Sequence, residues 1–515
     1  MIAIGMSNTT HEFAVFERNE DTNPSRNARV VILDTGLGGQ DASTIANPAA
    51  AYWNVVEQRL TALGLTAAQV QVAWLKEAQA QPPNNFPLHA VTLREDLESI
   101  ANNLHDKFPN LKLCYVSSRI YGGYATGPLN PEPQAYESGF SVKWLIEDQI
   151  SGDPGLSYGQ AGPVRAPLLL WGPYLWADGT RPRSDGLVWR RDDLEADGTH
   201  PSPSGEAQVA GLLSAFFASD VTAAPWWPAR GDALLVALDA ARDAHVLASE
   251  PAVNFGSAPQ LEARGGAAPS NAYLGFDLAG APRPVALAKL GLRVVLSGGG
   301  AVGLVSDAAW GEETITWSNA PAIGPGLVAL PQSSRDGTIG ADVTAAVNAD
   351  ADGLVSFALT VPGTAQTSYL SREGGQPPRL VLAVSCPVDG DGDGRGDACD
   401  CAPGDPAAFA VPGDVREVRF DGASTLAWDS AAPGAGNGTR HDVLAGDLVE
   451  LAIEGPRPGD LCVADDLANA ELTDPTPTPG AGEGRFFLVR GDNVCGSGTW
   501  GQSSNGALRT AVACP

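Results

Sequence analysis

Three residues in this chain have the types and spacing for acyl transfer. Ser7 closes the apolar run Ile2-Ala3-Ile4-Gly5-Met6, and Asp197 and His200 stand three apart in Asp197-Gly198-Thr199-His200-Pro201. A serine hydroxyl is a weak nucleophile until a base takes its proton, and an imidazole does this best when a carboxylate orients it. Only a local turn lets the Asp197 and His200 side chains meet; Gly198 makes that turn easy, and Pro201 fixes the entry to a following helix. In this reading His200 takes the Ser7 proton during attack on an ester carbonyl, and Asp197 orients the imidazole and stabilises its cation. The backbone N–H groups of Ser7 and Gly39, the latter in Gly36-Leu37-Gly38-Gly39, would hold the oxyanion. His11 has no paired carboxylate and reads as structural or substrate-proximal.

These residues need a scaffold, and the first 220 residues alternate strand and helix patterns. Continuous apolar runs at 2–7, 28–35, 70–75, 111–117 and 167–171 predict strands covered on both faces. Between them, Leu93, Leu97, Ile100 and Leu104 follow helical spacing, as do Val209, Leu212, Leu213, Phe216 and Phe217 near the end. Ser202 or Ser204 is placed to cap that last helix. Five such units predict a three-layer α/β/α domain with a parallel sheet, and a serine at the carboxyl end of a strand lies where such sheets present their chemistry.

Gly5-Met6-Ser7-Asn8, Gly36-Leu37-Gly38-Gly39 and Asp197-x-x-His200-Pro201 together resemble the SGNH (GDSL-type) hydrolase superfamily over about residues 1–220. The resemblance implies a flavodoxin-like sheet and a serine-hydrolase site with Ser7, Asp197 and His200 catalytic and Gly39 in the oxyanion hole, with no catalytic cofactor. One block departs from the family pattern. Where Gly-x-Asn-Asp is usual, this chain reads Trp74-Leu75-Lys76-Glu77-Ala78-Gln79, leaving Lys76 or Gln79 as substitute donors. Arg119, Tyr121 and Tyr124 follow the fourth strand and are placed to form a substrate loop, with aromatic faces suited to sugar rings; packing within the loop is the competing explanation.

The remainder differs in kind. Residues 221–232 read as a linker. From 233 to 385, short alternating segments separated by Gly/Pro turns predict a β-sandwich. Asp243-Ala244-His245-Val246, Asn254-Phe255-Gly256, Trp310-x-Glu312 through Pro321, Asp342-Val343-Thr344 and Ser371-Arg372-Glu373 resemble the DNRLRE-type extracellular module, some of whose members bind carbohydrate. Trp310 and Trp317 read as core residues. In 386–411, Asp389, Asp391, Asp393, Asp397 and Asp400 alternate with glycines in a rhythm that can wrap Ca²⁺. With Cys386, Cys399 and Cys401 around it, this stretch resembles a thrombospondin type 3 repeat with a structural calcium ion and a Cys386–Cys399 pairing. Residues 412–515 read as a β-rich domain, distantly similar to fibronectin type III, stapled near its end through Cys495 and Cys514.

Six of the seven cysteines fall after residue 385, which points to disulfides and an oxidising compartment. The 32 basic against 60 acidic residues, a net charge of −28, exclude a nucleic-acid partner and anionic membranes, and no apolar run is long enough to span a bilayer. The chain opens directly on its candidate catalytic strand, so an export signal is expected to precede it. The expected protein is a multidomain, monomeric, extracellular or cell-surface serine esterase, an α/β/α head with β-sandwich domains behind it. Its expected substrate is an acyl or O-acetyl ester on a polysaccharide. A glycan-binding or adhesive protein with an inactive head, and a lipid or aryl esterase, are the competing readings.

Overall fold

The computed structural model describes the chain apart from residues 83–84, 160–161, 423, 449–460, 475–478, 481–482, 502–508, 510–513 and 515. It packs as two units: Met1–Pro228 with Leu235–Ala383, and Ala229–Leu234 with Val384–Pro515. No helix among the described residues is long and apolar enough to cross a membrane.

The first unit opens on β1 (Ile2–Ile4) and α1 (Ser7–Glu20), then α2 (Ala42–Ala46) and α3 (Ala51–Ala62). β2 (Val72–Lys76), α4 (Leu88–Lys107), β3 (Leu113–Ser117), α5 (Gln134–Ile150), β4 (Leu168–Trp171) and α6 (Pro203–Ser219) follow. The four strands form one parallel sheet in the order β1-β2-β3-β4. Alternate residues feed two cores, as the two-residue period of a strand requires. Ile2, Ile4, Leu75, Cys114 and Val116 face α2 to α5 and meet Ile45, Val56, Leu97 and Leu145. Ala3, Trp74 and Tyr115 face the other way and meet Phe13, Phe16, Leu213 and Phe217 of α1 and α6. This is the three-layer arrangement expected from the continuous apolar runs.

Two local expectations need correction. The segment expected as a strand at 28–35 makes only a single parallel bridge, Ile2 to Leu33. Side chains take the backbone groups that a regular ladder would use. Glu17 accepts the Asp34 N–H at 2.8 Å, Arg59 donates to the Asp34 and Gly36 carbonyls at 2.9 Å, and Lys289 reaches the Ile32 carbonyl at 3.4 Å. Ser202 stands at the N-cap of α6, but neither it nor Ser204 caps through its side chain. Their hydroxyls turn instead to Asp192 O and Asp193 Oδ1, both at 2.7 Å.

Residues 221–232, expected as a linker, begin as part of the head. Trp227 is buried against Phe16 and Phe217, because a large indole gains more from the core than from water. Two antiparallel sheets then form the β-sandwich. One has the order β11-β10-β13-β8-β7-β14, with β6 also paired to β8; the other is β12-β9-β15-β5. The strands are β5 (Ala233–Asp239), β6 (Arg242–Leu247), β7 (Gln260–Arg264), β8 (Ser270–Asp277), β9 (Leu287–Arg293) and β10 (Gly300–Val305). They continue with β11 (Ile323–Leu330), β12 (Thr338–Asp342), β13 (Leu354–Thr360), β14 (Gln366–Leu370) and β15 (Arg379–Ser385). Trp310 is buried edge-on to Tyr273, and Trp317 packs on the same cluster, so both serve the core.

The sandwich and the head are joined by buried charge. Lys289 of β9 bridges Glu17 and Asp21 of the head at 2.9 and 2.6 Å, and Arg293 donates to Glu206 of α6 at 2.8 Å. Removing one partner of such a pair strands the other in a low dielectric.

The second unit holds three disulfides: Cys386–Cys399, Cys401–Cys495 and Cys462–Cys514. The local pairing matches the one implied by the calcium-repeat resemblance, while Cys495 and Cys514 each staple a distant segment. Small antiparallel sheets built on Thr425–Asp429, Arg440–Asp447 and Arg485–Asn493 make its β-rich part.

Candidate active site

Ser7 is the first residue of α1, separated from the end of β1 only by Gly5 and Met6. Gly5 makes that abrupt turn possible. A Cβ on it would sit 2.2 Å from the Lys76 carbonyl and 2.3 Å from Thr9 Oγ1. At a helix start the first backbone N–H groups have no intrahelical acceptor, and the helix dipole favours negative charge there. The hydroxyl of Ser7 therefore stands beside ready donors.

The distant turn meets it. His200 Nε2 lies 2.8 Å from Ser7 Oγ, and His200 Nδ1 lies 2.5 Å from Asp197 Oδ2. Asp197 Oδ1 accepts the backbone N–H groups of Thr199 and His200 at 2.9 and 3.0 Å, which locks the carboxylate into the turn. Partial burial pushes the Asp197 pKa up, but the bonds from the His200 ring and these two N–H groups outweigh it and hold the carboxyl below its usual range. Asn8 Nδ2 donates to Thr199 O at 2.9 Å, pinning the turn onto α1. From the other side Thr126 donates its N–H to Asp197 O at 2.9 Å.

Gly198 has φ of +69°, and a Cβ there would fall 1.8 Å from the Tyr124 carbonyl oxygen. Gly198→Ala must displace backbone on one side or the other. We expect a loss of about 10²-fold in turnover, the scale of an ångström-sized misplacement of a catalytic group. Unchanged circular dichroism beside the lost rate would locate the effect in the turn.

The expected oxyanion residues fare differently. Gly39, with φ of +77°, is exposed and its Cβ side faces open space, whereas the Cβ direction of Gly38 points to within 3.7 Å of Ser7 Cβ. Lys76 and Gln79 do not present donors at Ser7. Lys76 is fully buried in an ion pair with Glu12, and Gln79 Nε2 donates to Asp96 at 3.1 Å. A buried ammonium is too costly to leave without its carboxylate, and that fixes the direction of the Lys76 side chain. Burial pushes both members toward neutrality, Lys76 down to about 8, and their mutual contact opposes this.

The expected substrate loop is mostly support. Arg119 is buried, and its charge acts on Glu12 and Glu77. Tyr121 and Tyr124 stack edge to face at 5.2 Å, and Tyr124 Oη donates to Trp189 O at 3.2 Å. Aromatic surface is gathered elsewhere, in a pocket of about 330 Å³ lined by Tyr136, Phe140, Trp171, Tyr174 and the stem of Lys143. Trp189 is fully buried.

Sequence reasoning missed the sandwich's share of this site. Ser334, in the loop before β12, accepts the Gly38 N–H at 3.1 Å. Arg335 pairs with Glu195 at 2.7 Å, and Asp336 lies 3.9 Å from His11 Nε2. His11 itself is buried with its ring centroid 5.4 Å from that of His200. Burial first, then the nearby His200 and Arg293, push its pKa down to about 3, so it backs His200 as a neutral ring. No motif marks Ser334 in a sequence; only docking of the second module places it there.

In the second unit, Asp389, Asp391 and Asp393 bring one carboxylate oxygen each within 4.8 Å of one another. Asp391 Oδ2, Asp393 Oδ2 and Asp400 Oδ2 are buried without a hydrogen-bond partner, and such oxygens suit a hard cation. Asp397 is turned partly to other work, accepting the Gly390 N–H at 2.7 Å.

Residues 235–384 match the model of carbohydrate-binding module family 96. No curated protein matches the chain. Among solved structures, a carbohydrate acetylesterase from Xanthomonas citri aligns at 11% identity over 74% of this chain and 77% of its own, with a TM-score of 0.21. A structure of CapF with inhibitor 3-isopropenyl-tropolone aligns at 9% identity over 75% and 96%, with a TM-score of 0.12. At these scores neither likeness carries an argument about fold or function.

Proposed function

We propose that this chain is an extracellular carboxylic-ester hydrolase of the SGNH type, acting on an acyl group, most simply O-acetyl, carried by a carbohydrate. The observation that carries the reading is the continuous relay from Ser7 Oγ through His200 to Asp197. Ser7 Oγ attacks the ester carbonyl as His200 Nε2 takes its proton. The negative oxygen is held by the N–H groups of Ser7 and Gly39; the other N–H groups of the glycine loop are taken, Gly36 by Asp34, Leu37 by Gly5 O and Gly38 by Ser334. His200 then gives the proton to the sugar oxygen as its bond to the acyl carbon breaks, so the sugar leaves as an alcohol and the acyl group stays on Ser7. Water, deprotonated by the same imidazole, releases the carboxylic acid and restores the serine.

The carbohydrate part of the proposal draws on the family 96 match of the sandwich, which supports a carbohydrate partner. A module bound to a polymer raises the local concentration of its ester groups around the head. The three disulfides accord with an oxidising, extracellular setting. In the same reading Asp389, Asp391 and Asp393 hold a structural Ca²⁺, with no metal used in catalysis.

The test is release of acetate from an acetylated polysaccharide by the intact protein, measured beside its activity on a short-chain aryl acetate. Turnover of both supports a carbohydrate esterase. Turnover of the aryl ester alone across acetylated xylan, pectin and bacterial exopolysaccharide would remove the carbohydrate assignment. Inertness toward both, with polymer binding retained, would favour an adhesive protein with an inactive head.

A further inference from the structure

Three pieces of the sandwich sequence, separated by some 130 residues in all, meet at one point that the ester chemistry does not use. Asp243 comes from β6, Glu312 from the loop after Trp310, and Glu373 from the loop after β14. Each offers a carboxylate oxygen, and these three oxygens lie within 4.8 Å of one another. Asp243 is fully buried. Its Oδ2 accepts the Arg372 N–H at 2.9 Å, while its Oδ1 is buried with no hydrogen-bond partner.

Arg372 neutralises part of the cluster. Its guanidinium donates to both oxygens of Glu312, at 2.9 and 2.7 Å. Glu312 Oε1 also accepts the Asp243 N–H at 2.7 Å, so it is filled; Oε2 keeps a free lone pair. Three carboxylates against one guanidinium leave two negative charges in a small space, one of them on an oxygen shut away from water. An uncompensated buried carboxylate is costly, and burial pushes the Asp243 pKa up to about 7.

We propose that Asp243 Oδ1, Glu312 Oε2 and Glu373 form a second cation site, specific for a hard divalent ion such as Ca²⁺. The donors are all oxygen, which suits calcium and argues against softer metals. The remaining charge matches a divalent ion. Glu373 is exposed, so the ion enters from solvent and water completes its shell. Bound there, it ties β6, the Trp310–Pro321 loop and the Ser371–Gly375 loop together. This site is separate from the aspartate loop at 389–400 and does not depend on the esterase reading.

The test must keep the two calcium positions apart. We would measure Ca²⁺ binding by calorimetry on the full chain carrying Asp389→Asn, Asp391→Asn and Asp393→Asn, which silences the other loop. This variant should still bind one Ca²⁺ per chain. Adding Glu373→Gln, an exposed change that leaves the fold intact, should weaken that binding by about tenfold or more, because affinity follows ligand charge. Asp243→Asn should abolish it. The proposal falls if the triple variant binds no Ca²⁺, or if Glu373→Gln on that background leaves the affinity unchanged. Should Asp243→Asn fail to fold, Glu373→Gln alone decides.

Discussion

Replacing Ser7 by alanine is expected to lower hydrolysis of a short-chain aryl acetate by about 10⁵–10⁶-fold, and His200→Ala to do nearly the same. The two losses should not add in the double variant. Ser7 and His200 act as one device, since without the imidazole at 2.8 Å the hydroxyl keeps its proton. What survives is the contribution of the helix N-terminus and the glycine loop, which still stabilise an oxyanion formed by water. Asp197→Asn should cost less than either but still orders of magnitude, because an amide can hold the His200 ring yet cannot stabilise its cation. Steady-state rates on the folded variants check all three. Equal activity in wild type, Ser7→Ala and His200→Ala would place the nucleophile elsewhere.

The second large effect concerns stability. Lys76→Met should destabilise the first unit by about 3–5 kcal/mol at neutral pH, because it leaves the Glu12 carboxylate buried without its partner. The pH dependence has a definite sign. Burial already raises the Glu12 pKa, and Lys76 is the main influence opposing it. In the variant the folded-state value rises further above that of the unfolded chain. The folded state then binds the extra proton as pH falls, so the penalty shrinks toward acid and grows toward alkali. Replacing both partners, Lys76→Met with Glu12→Leu, should recover most of the loss, since an apolar pair of similar volume needs no compensation. Denaturant midpoints at two pH values, for the single and double variants, measure this directly. A single variant as stable as wild type at neutral pH would mean that Arg119, whose charge also acts on Glu12, replaces Lys76.

Ser7, Asp197 and His200 were legible because each depends on local form. A serine at the end of a buried strand, and an acid and imidazole three apart around a glycine, carry most of their geometry in their own neighbourhoods. The direction of Lys76, one of two substitute donors that the sequence offers, is not legible for the opposite reason. Its position at the end of β2 faces the site in sequence terms, but its direction is set by Glu12, 64 residues away on α1. That the Gly38 N–H is taken by Ser334, 296 residues away, is likewise invisible in the glycine run itself.

The sequence by itself determined the α/β alternation, the change to β-rich modules and the grouping of Ser7 with Asp197 and His200. Each follows from periodicity, turn chemistry or short spacing, which are properties of neighbouring residues. Tertiary structure alone decided that Ser334 of the sandwich reaches the glycine loop. It also decided that Lys289 and Arg293 bind the sandwich to the head, and that Asp243, Glu312 and Glu373 converge. Those contacts join residues far apart in the chain. Their energies come from desolvation and charge pairing, which exist only once the modules have packed.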